Sequence, residues 1–387
     1  MLNKAVTGLN SPPVSTVLNW KSSYSGGSGP LIDMSQAVPG YPAHESVLSA
    51  LGSAAANPDL ARYGPVEGEP AFRSAYAQHV SKFYNTSINP DEVQITSGCN
   101  QAFVAGVLAV AGEGDNILIT RPCYFNHESA LNMLGIKIKY IDCDKSNNLL
   151  PHSRAIEKAI TNKTKAISLV TPNNPTGSIY PPQLLNSIYQ LCEKNGLWLI
   201  VDETYRDFLP MKSTPPHSLF RHSNWQENLI QLYSFSKSYC LPGHRLGAVI
   251  AGSGVVKELS KIIDNIQICA PRFVQHALTP MFETLETWRE QNRKIIQHRA
   301  KTFRNTIIKL KKWKLLSHGA YFGYVRHPFK DVGSQLVAEA MIKKSGVLVI
   351  PGTFFGDGQE QALRFAFANA DQCAIKDLYE RLENLEI

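Results

Sequence analysis

The chain has 387 residues, 43% of them hydrophobic and 18% charged, and a formal net charge of +7. That length exceeds what one compact core usually fills, so two closely associated domains are expected and a disordered or fibrous chain is excluded. No apolar run approaches the roughly 20 residues that cross a bilayer as a helix, and the positive charge suits anionic small molecules without selecting a partner.

The opening MLNKAVTGLNSPPVSTVLNW has one early lysine but neither a sustained apolar stretch nor a small-residue cleavage site. It does not read as a secretory signal, so a cytoplasmic location is expected. Residues 1–40 are loop-rich, with SSYSGGSGP and a closing VPGYP, and predict an arm that joins part of a smaller domain. Seven cysteines stand singly, without a CxxC pair, which argues against a metal site and a disulfide framework.

From about residue 90 to 250, short apolar runs alternate with helix-like stretches: NILIT (116–120), KAISLV (165–170), LWLIVD (197–202), LIQLYSFS (229–236) and LGAVIA (246–251). Continuous apolar runs in that rhythm predict parallel strands buried on both faces, with helices between them. Tyr124, Asn174, Asp202, Tyr205, Ser234 and Lys237 all lie just past the ends of these runs. Ligands bind at the carboxyl edge of open α/β sheets, so residues more than a hundred positions apart are expected to converge there.

In chain order, ITSGCNQAF (95–103) leads an apolar strand into a polar turn and a helix-compatible run. Such a turn is either an ordinary cap or a cradle of backbone N–H groups for a phosphate. TPNNPTG (171–177) imposes a turn in which Asn174 either serves the loop or faces a cleft. VDETY (201–205) ends an apolar strand on Asp202, which either caps the next segment or pairs with a cation that compensates its burial. SFSKSYCLPGHRLG (234–247) sets Lys237 among hydroxyls with Arg245 nearby. Partial desolvation and neighbouring positive charge would lower its pKa and make the amine nucleophilic, while Ser234, Ser236 and Arg245 supply donors suited to a phosphate dianion.

Between Leu285 and Leu310 the apolar series Leu285, Trp288, Ile295, Phe303, Ile307 and Leu310 predicts a long helix, with its basic residues on a solvated face rather than on a nucleic-acid patch. YFGYV (321–325), VLVIPG (347–352) and LRFAFA (363–368) read as strands of a smaller α+β unit. The division expected is an arm over 1–40, a large domain over 41–280 and a small domain over 281–387.

Taken in order, RYGPVEG, SGCNQ, YFNH, NNPTG, DETY, SFSK with an arginine eight residues past the lysine, and RFAFA resemble the class I and II aminotransferases. These belong to the fold-type I group of pyridoxal 5′-phosphate (PLP) enzymes, similar to aspartate aminotransferases. The resemblance implies an α/β fold: a mostly parallel seven-stranded sheet in a large PLP-binding domain, beside a smaller α+β domain.

It further implies that Lys237 is the Schiff-base lysine and later moves a proton, and that Asp202 keeps the pyridine nitrogen protonated so the ring acts as an electron sink. His127 would support Asp202, Tyr124 would stack on the ring, and Asn174 and Tyr205 would bond its phenolic oxygen. Gly98, Cys99, Asn100, Ser234, Ser236 and Arg245 would form the phosphate cup. Tyr63 would reach the phosphate from a partner subunit, which implies a homodimer. Arg364 would take the substrate α-carboxylate as a bidentate pair beside Asn174, with Gly40 of the arm closing over it.

The activity implied is transfer of an amino group from an L-amino acid to a 2-oxo acid. A lyase or an oxygen-using oxidase or hydroxylase is the alternative, because SKSYCLPGHRLG also resembles PLP enzymes acting on arginine. A non-catalytic PLP-binding regulator is less favoured, since Lys237 and Asp202 are both present and no DNA-reading segment is visible. No residue is assignable as an arginine for a dicarboxylic side chain, which leaves the amino acid open.

Overall fold

The computed structural model describes residues 2–210 and 215–387. A short first strand, β1 (Ile32–Asp33), precedes the main sheet. The alternating runs then form β2 (Val93–Thr96), β3 (Asn116–Arg121), β4 (Lys137–Asp142), β5 (Thr164–Val170), β6 (Trp198–Asp202), β7 (Leu229–Ser234) and β8 (Gly247–Ile250). They join in the order β2-β8-β7-β6-β5-β3-β4. The neighbours from β4 to β7 are parallel, and β8 runs antiparallel to both β7 and β2. The expected mostly parallel seven-stranded sheet is present.

Strand periodicity sends Leu199 and Val201 of β6 into one apolar cluster, with Leu185 and Ile188, and Ile200 into another, with Phe103 and Leu259. Full burial of each such side chain contributes about 1.5–3 kcal/mol relative to exposure. β4 escaped the sequence reading because KIKYID is an edge strand, with Lys137 exposed and only Ile141 buried among its apolar residues. Charged side chains on such an edge discourage further strand pairing.

A second sheet comprises β9 (Lys314–Gly319), β10 (Phe322–Arg326), β12 (Ile350–Pro351) and β13 (Ala362–Phe365), antiparallel in the order β12-β13-β10-β9. VLVIPG, read as one strand, divides: β11 (Val347–Leu348) pairs in parallel with β1, while Ile350–Pro351 joins β13. The β1–β11 pair fixes the arm against the carboxyl-terminal part of the chain.

The long helix spans Glu286–Lys309. Ile295, expected on its buried face, is 42% exposed, and Ile296 is buried instead. Steps of 11 residues return to one face of a straight helix, and Leu285, Ile296 and Ile307 follow that spacing. The basic face is also less solvated than expected. Arg293 and Arg299 are buried, and Arg289 pairs with Asp207 at 3.3 Å. No described helix is long and apolar enough to cross a membrane, and the described residues contain no cluster of three or more His, Cys, Asp or Glu side chains that could hold a metal ion.

Candidate active site

The carboxyl ends of β5, β6 and β7 open on a cavity of about 280 Å³, lined by Lys237, Asp202, Asn174, Tyr205, Arg245 and Arg364 among others. A larger cavity of about 960 Å³ lies between the helix Pro70–Tyr84 and the start of Glu286–Lys309. It contains none of the residues expected to carry chemistry, so chemistry and not size identifies the site.

Lys237 sits in a one-turn helix, Phe235–Ser238, capped by Ser234, whose Oγ accepts the Ser236 N–H at 3.3 Å. Its Nζ donates to the Ala37 carbonyl at 2.5 Å. Burial lowers its pKa to about 8, aided by the positive charges of Arg364 and Arg245 and opposed by Asp202 and Cys99. Because the neutral amine is the nucleophile, its reactivity should rise as pH passes about 8 rather than at the ordinary lysine value. In cofactor-free protein, trinitrobenzenesulfonate should therefore label Lys237 with a midpoint near pH 8. A midpoint near that of an exposed lysine would contradict the burial argument.

Asp202 ends β6 and is buried. Burial alone would raise its pKa, but His127 Nε2 at 3.4 Å and the Thr204 N–H donated to Oδ1 at 2.9 Å hold it below the usual value. His127 is itself fixed by stacking on Phe103, with ring centroids 3.7 Å apart. Tyr124, at the start of the helix Phe125–Met133, accepts a hydrogen bond from Asn126 and lies edge-on to His127. Burial, followed by the nearby Asp202 charge, raises its pKa to about 12, so its hydroxyl stays protonated at neutral pH.

A 12-residue helix, Cys99–Val110, begins at Gly98 and leaves its first backbone N–H groups without intrahelical partners. Gly98 has φ +85°, and a Cβ there would lie 2.2 Å from Arg245 Nη2. Behind it, a Cβ at Gly247 would lie 2.6 Å from the Gly98 carbonyl carbon. The missing side chain at Gly98 lets the Arg245 guanidinium approach the helix start, and the one at Gly247 lets the strand pack against that start. Cys99, Asn100, Ser234 and Ser236 line the same end of the site. Burial, then Asp202, pushes the Cys99 thiol well up, so it presents no thiolate to an anion.

Arg364, on β13, lies between Phe322 and Phe355, whose ring centroids are 4.9 and 5.2 Å from its Cζ. Nη1 donates to Asn174 Oδ1 at 2.9 Å and Nη2 to the Ser35 carbonyl. Nε has no partner, and no described carboxylate pairs with the guanidinium. Burial lowers its pKa to about 10, partly offset by the nearby tyrosines. A buried, counter-ion-free guanidinium is a receptor for an anion. Asn173, the other asparagine of the turn, serves the loop by accepting from the Thr176 N–H and hydroxyl.

Gly40 is not on the cavity wall; its N–H donates to Ala368 O at 3.1 Å. Gln36, Ala37 and Val38 are the arm residues that line the cavity. The β1–β11 pairing and the Arg364–Ser35 contact fix that register. Tyr63 is 79% exposed and does not line the cavity of its own chain. Gly98 and His127 act behind the lining residues. The sequence reading missed Thr204, which carries no signal beyond its place beside Asp202, and missed Val14 and Phe125.

This set fits pyridoxal 5′-phosphate. A partly buried amine of lowered pKa lies beside a buried carboxylate, and a guanidinium stands at a helix start that only glycine leaves open.

The family model for aminotransferase class I and II matches residues 29–382. The chain is 30% identical over 335 residues to an aspartate aminotransferase of Sulfolobus acidocaldarius, covering 83% of this chain and 81% of that one. It is 28% identical over 334 residues to an aromatic aminotransferase of Arabidopsis thaliana, covering 84% and 82%. Among solved structures, an aromatic aminotransferase from Pyrococcus horikoshii superimposes with a TM-score of 0.85 at 25% identity, covering 96% and 97% of the two chains. A mutant of the Thermus thermophilus aspartate aminotransferase gives 0.89 at 21% identity over the whole of both chains.

Proposed function

The chain belongs to the class I and II aminotransferases, PLP-dependent enzymes that move an amino group from an amino acid to a 2-oxo acid, and from that membership we propose how its residues divide the work. The observation that carries this reading is the convergence of Lys237, Asp202 and a counter-ion-free Arg364 on one cavity at the carboxyl edge of the sheet.

When bound, PLP supplies a carbonyl that takes an amine and a protonated ring that draws electrons from the bond between Cα and its hydrogen. Lys237, with its lowered pKa, would be the amine that joins the cofactor and, as a free amine, would move the proton at Cα. Asp202 stays ionised with His127 behind it and holds the ring nitrogen in its protonated form. Tyr124 would cover the ring, and Asn174 and Tyr205 would donate to its phenolic oxygen. Gly98, Cys99, Asn100, Ser234, Ser236 and Arg245 hold the phosphate. Arg364 binds the α-carboxylate and so orients Cα toward Lys237.

The active species is a homodimer in which Tyr63 reaches the phosphate held by a second copy. Its exposure supports this, as does the exposed Ile266 and Ile268 patch beside it, joined through the Gly64 N–H donated to Cys269 Sγ. Seven free cysteines suit a reducing cytoplasm. The large and small domains divide near residue 280, as the separate cores of the two sheets suggest.

The test incubates holoenzyme with a panel of amino acids, with and without 2-oxoglutarate or pyruvate, and follows keto acid, ammonia and peroxide together. Amino-group transfer gives one new keto acid per acceptor consumed and neither of the other products. Ammonia or peroxide in proportion to amino acid consumed would reassign the chain to the lyase or oxidase reading.

A further inference from the structure

Between Gln291 and Lys330 the chain has 11 Lys or Arg and no Asp or Glu, so this stretch alone carries more than the whole formal net charge of +7. Part of it is engaged. Arg293 forms a bidentate pair with Glu290, Lys294 lies 3.8 Å from the same carboxylate, and Arg299 is buried and donates to the Ala368 carbonyl. The remaining eight cations are exposed, and none pairs with a described carboxylate.

They gather at one end of the smaller unit. On the helix Glu286–Lys309, Lys301, Arg304 and Ile308 follow one another at steps of three and four, which is one helix face, and Ile308 is 56% exposed there. Burial and then the charge of Arg304 lower the pKa of His318 on β9, which sets that face beside the edge strand of the second sheet. The turn out of the helix carries Lys311 and Lys312. Trp313 packs edge-on to Phe329, with ring centroids 6.2 Å apart, and so draws Lys330 to the same turn. Lys314 is the register partner of Arg326. Like charges directly opposite on paired strands are destabilising, and protecting the edge would need Lys314 alone.

The composition of this face narrows what it meets. Six of the eight cations are lysines, point charges that suit a diffuse negative field, whereas protein–protein contacts are depleted in lysine and enriched in arginine. Phe303 and Trp313 are buried and Phe329 is held against Trp313, so no ring is offered to stack on a base. An exposed isoleucine among the cations fits the apolar layer beneath a film of lipid phosphates.

We propose that the end of the helix Glu286–Lys309, the turn at Lys311–Lys314 and the adjoining β9–β10 edge dock on an anionic lipid surface, with Ile308 entering below the headgroups. No described helix is long and apolar enough to cross a membrane, so the attachment is peripheral. It uses neither the cavity nor the reaction. The face packs on the core of the second sheet through Phe303, Ile307 and Trp313, whereas Ile266 and Ile268, read above as part of the contact with a second copy, adjoin Ile263 and Ala270 of the cores around the first.

The test is co-sedimentation of holoenzyme with vesicles of phosphatidylglycerol and phosphatidylcholine in equal parts, against vesicles of phosphatidylcholine alone. Binding is expected to the mixed vesicles only, and it should weaken as salt rises. Lys301→Gln, Lys311→Gln and Lys312→Gln combined should weaken it about a hundredfold, at roughly fivefold per lysine, and Ile308→Gln about tenfold. Both variants should keep the parent kcat/KM and oligomeric state. Failure to bind the mixed vesicles, equal binding to both kinds, or unchanged affinity in either variant would overturn the proposal. Tighter binding of duplex DNA or RNA than of the mixed vesicles at the same salt would overturn it in favour of a nucleic acid. Lost binding together with a changed oligomeric state would make the face an interface between copies instead.

Discussion

Lys237→Ala is expected to fold, to hold cofactor only reversibly, and to lose activity by about 10²–10⁴-fold or more, the range expected when a group that moves a proton at the reacting carbon is removed. The side chain is partly buried but makes a single hydrogen bond, to the Ala37 carbonyl, so little of the fold depends on it. Borohydride treatment followed by peptide mapping should attach the cofactor to residue 237 of the parent chain and nowhere in the variant. Equal covalent retention in both proteins would remove Lys237 from the centre of the site. Circular dichroism separates this outcome from misfolding.

Arg364→Met carries the second large effect, and it should push stability and function in opposite directions. Removing one side of a buried charged pair costs about 2–5 kcal/mol, or about 30- to 4,000-fold in kcat/KM at 1.4 kcal/mol per tenfold. That loss should fall on α-amino acids and spare amines that lack the carboxylate. In the free protein, however, the guanidinium is buried between Phe322 and Phe355 without a carboxylate partner, and its Nε bonds to nothing. Methionine matches its length without burying a charge, so the melting temperature should hold or rise. A marked fall in melting temperature with unchanged kcat/KM would make Arg364 a structural residue.

The strands that carry the site were legible because β5, β6 and β7 are buried on both faces, so their sequences are continuous apolar runs ending in polar residues. What was not legible depends on distant contacts. The arm has no periodicity, and its register is set by Val347, Leu348 and Arg364, more than 300 positions away, so the contact of Lys237 with the Ala37 carbonyl could not be read from the sequence. β4 was hidden because a polar edge strand lacks the apolar run that marks a central one. Arg206 reads as an ordinary loop residue in YRDF, yet it is fully buried, with its Cζ 4.1 Å from the Tyr233 ring and its Nη groups donating to Tyr84 and Tyr76. Only the packing of three separate elements reveals that cage.

The close approach of Gly98, Gly247 and Arg245 narrows which sequences this protein can drift into. Even a single methyl at position 98 would have to sit where the guanidinium sits, on a backbone that L side chains rarely adopt, and one at position 247 would press on the carbonyl carbon behind it. At position 98 the backbone conformation is what resists exchange, since the end of the arginine could swing aside, whereas at position 247 the obstruction includes backbone and stays even if Arg245 moves. Cys99 and Asn100, immediately beside them, already carry side chains on helical backbone, so variants that keep the anion cradle are to be sought there and not at its glycines.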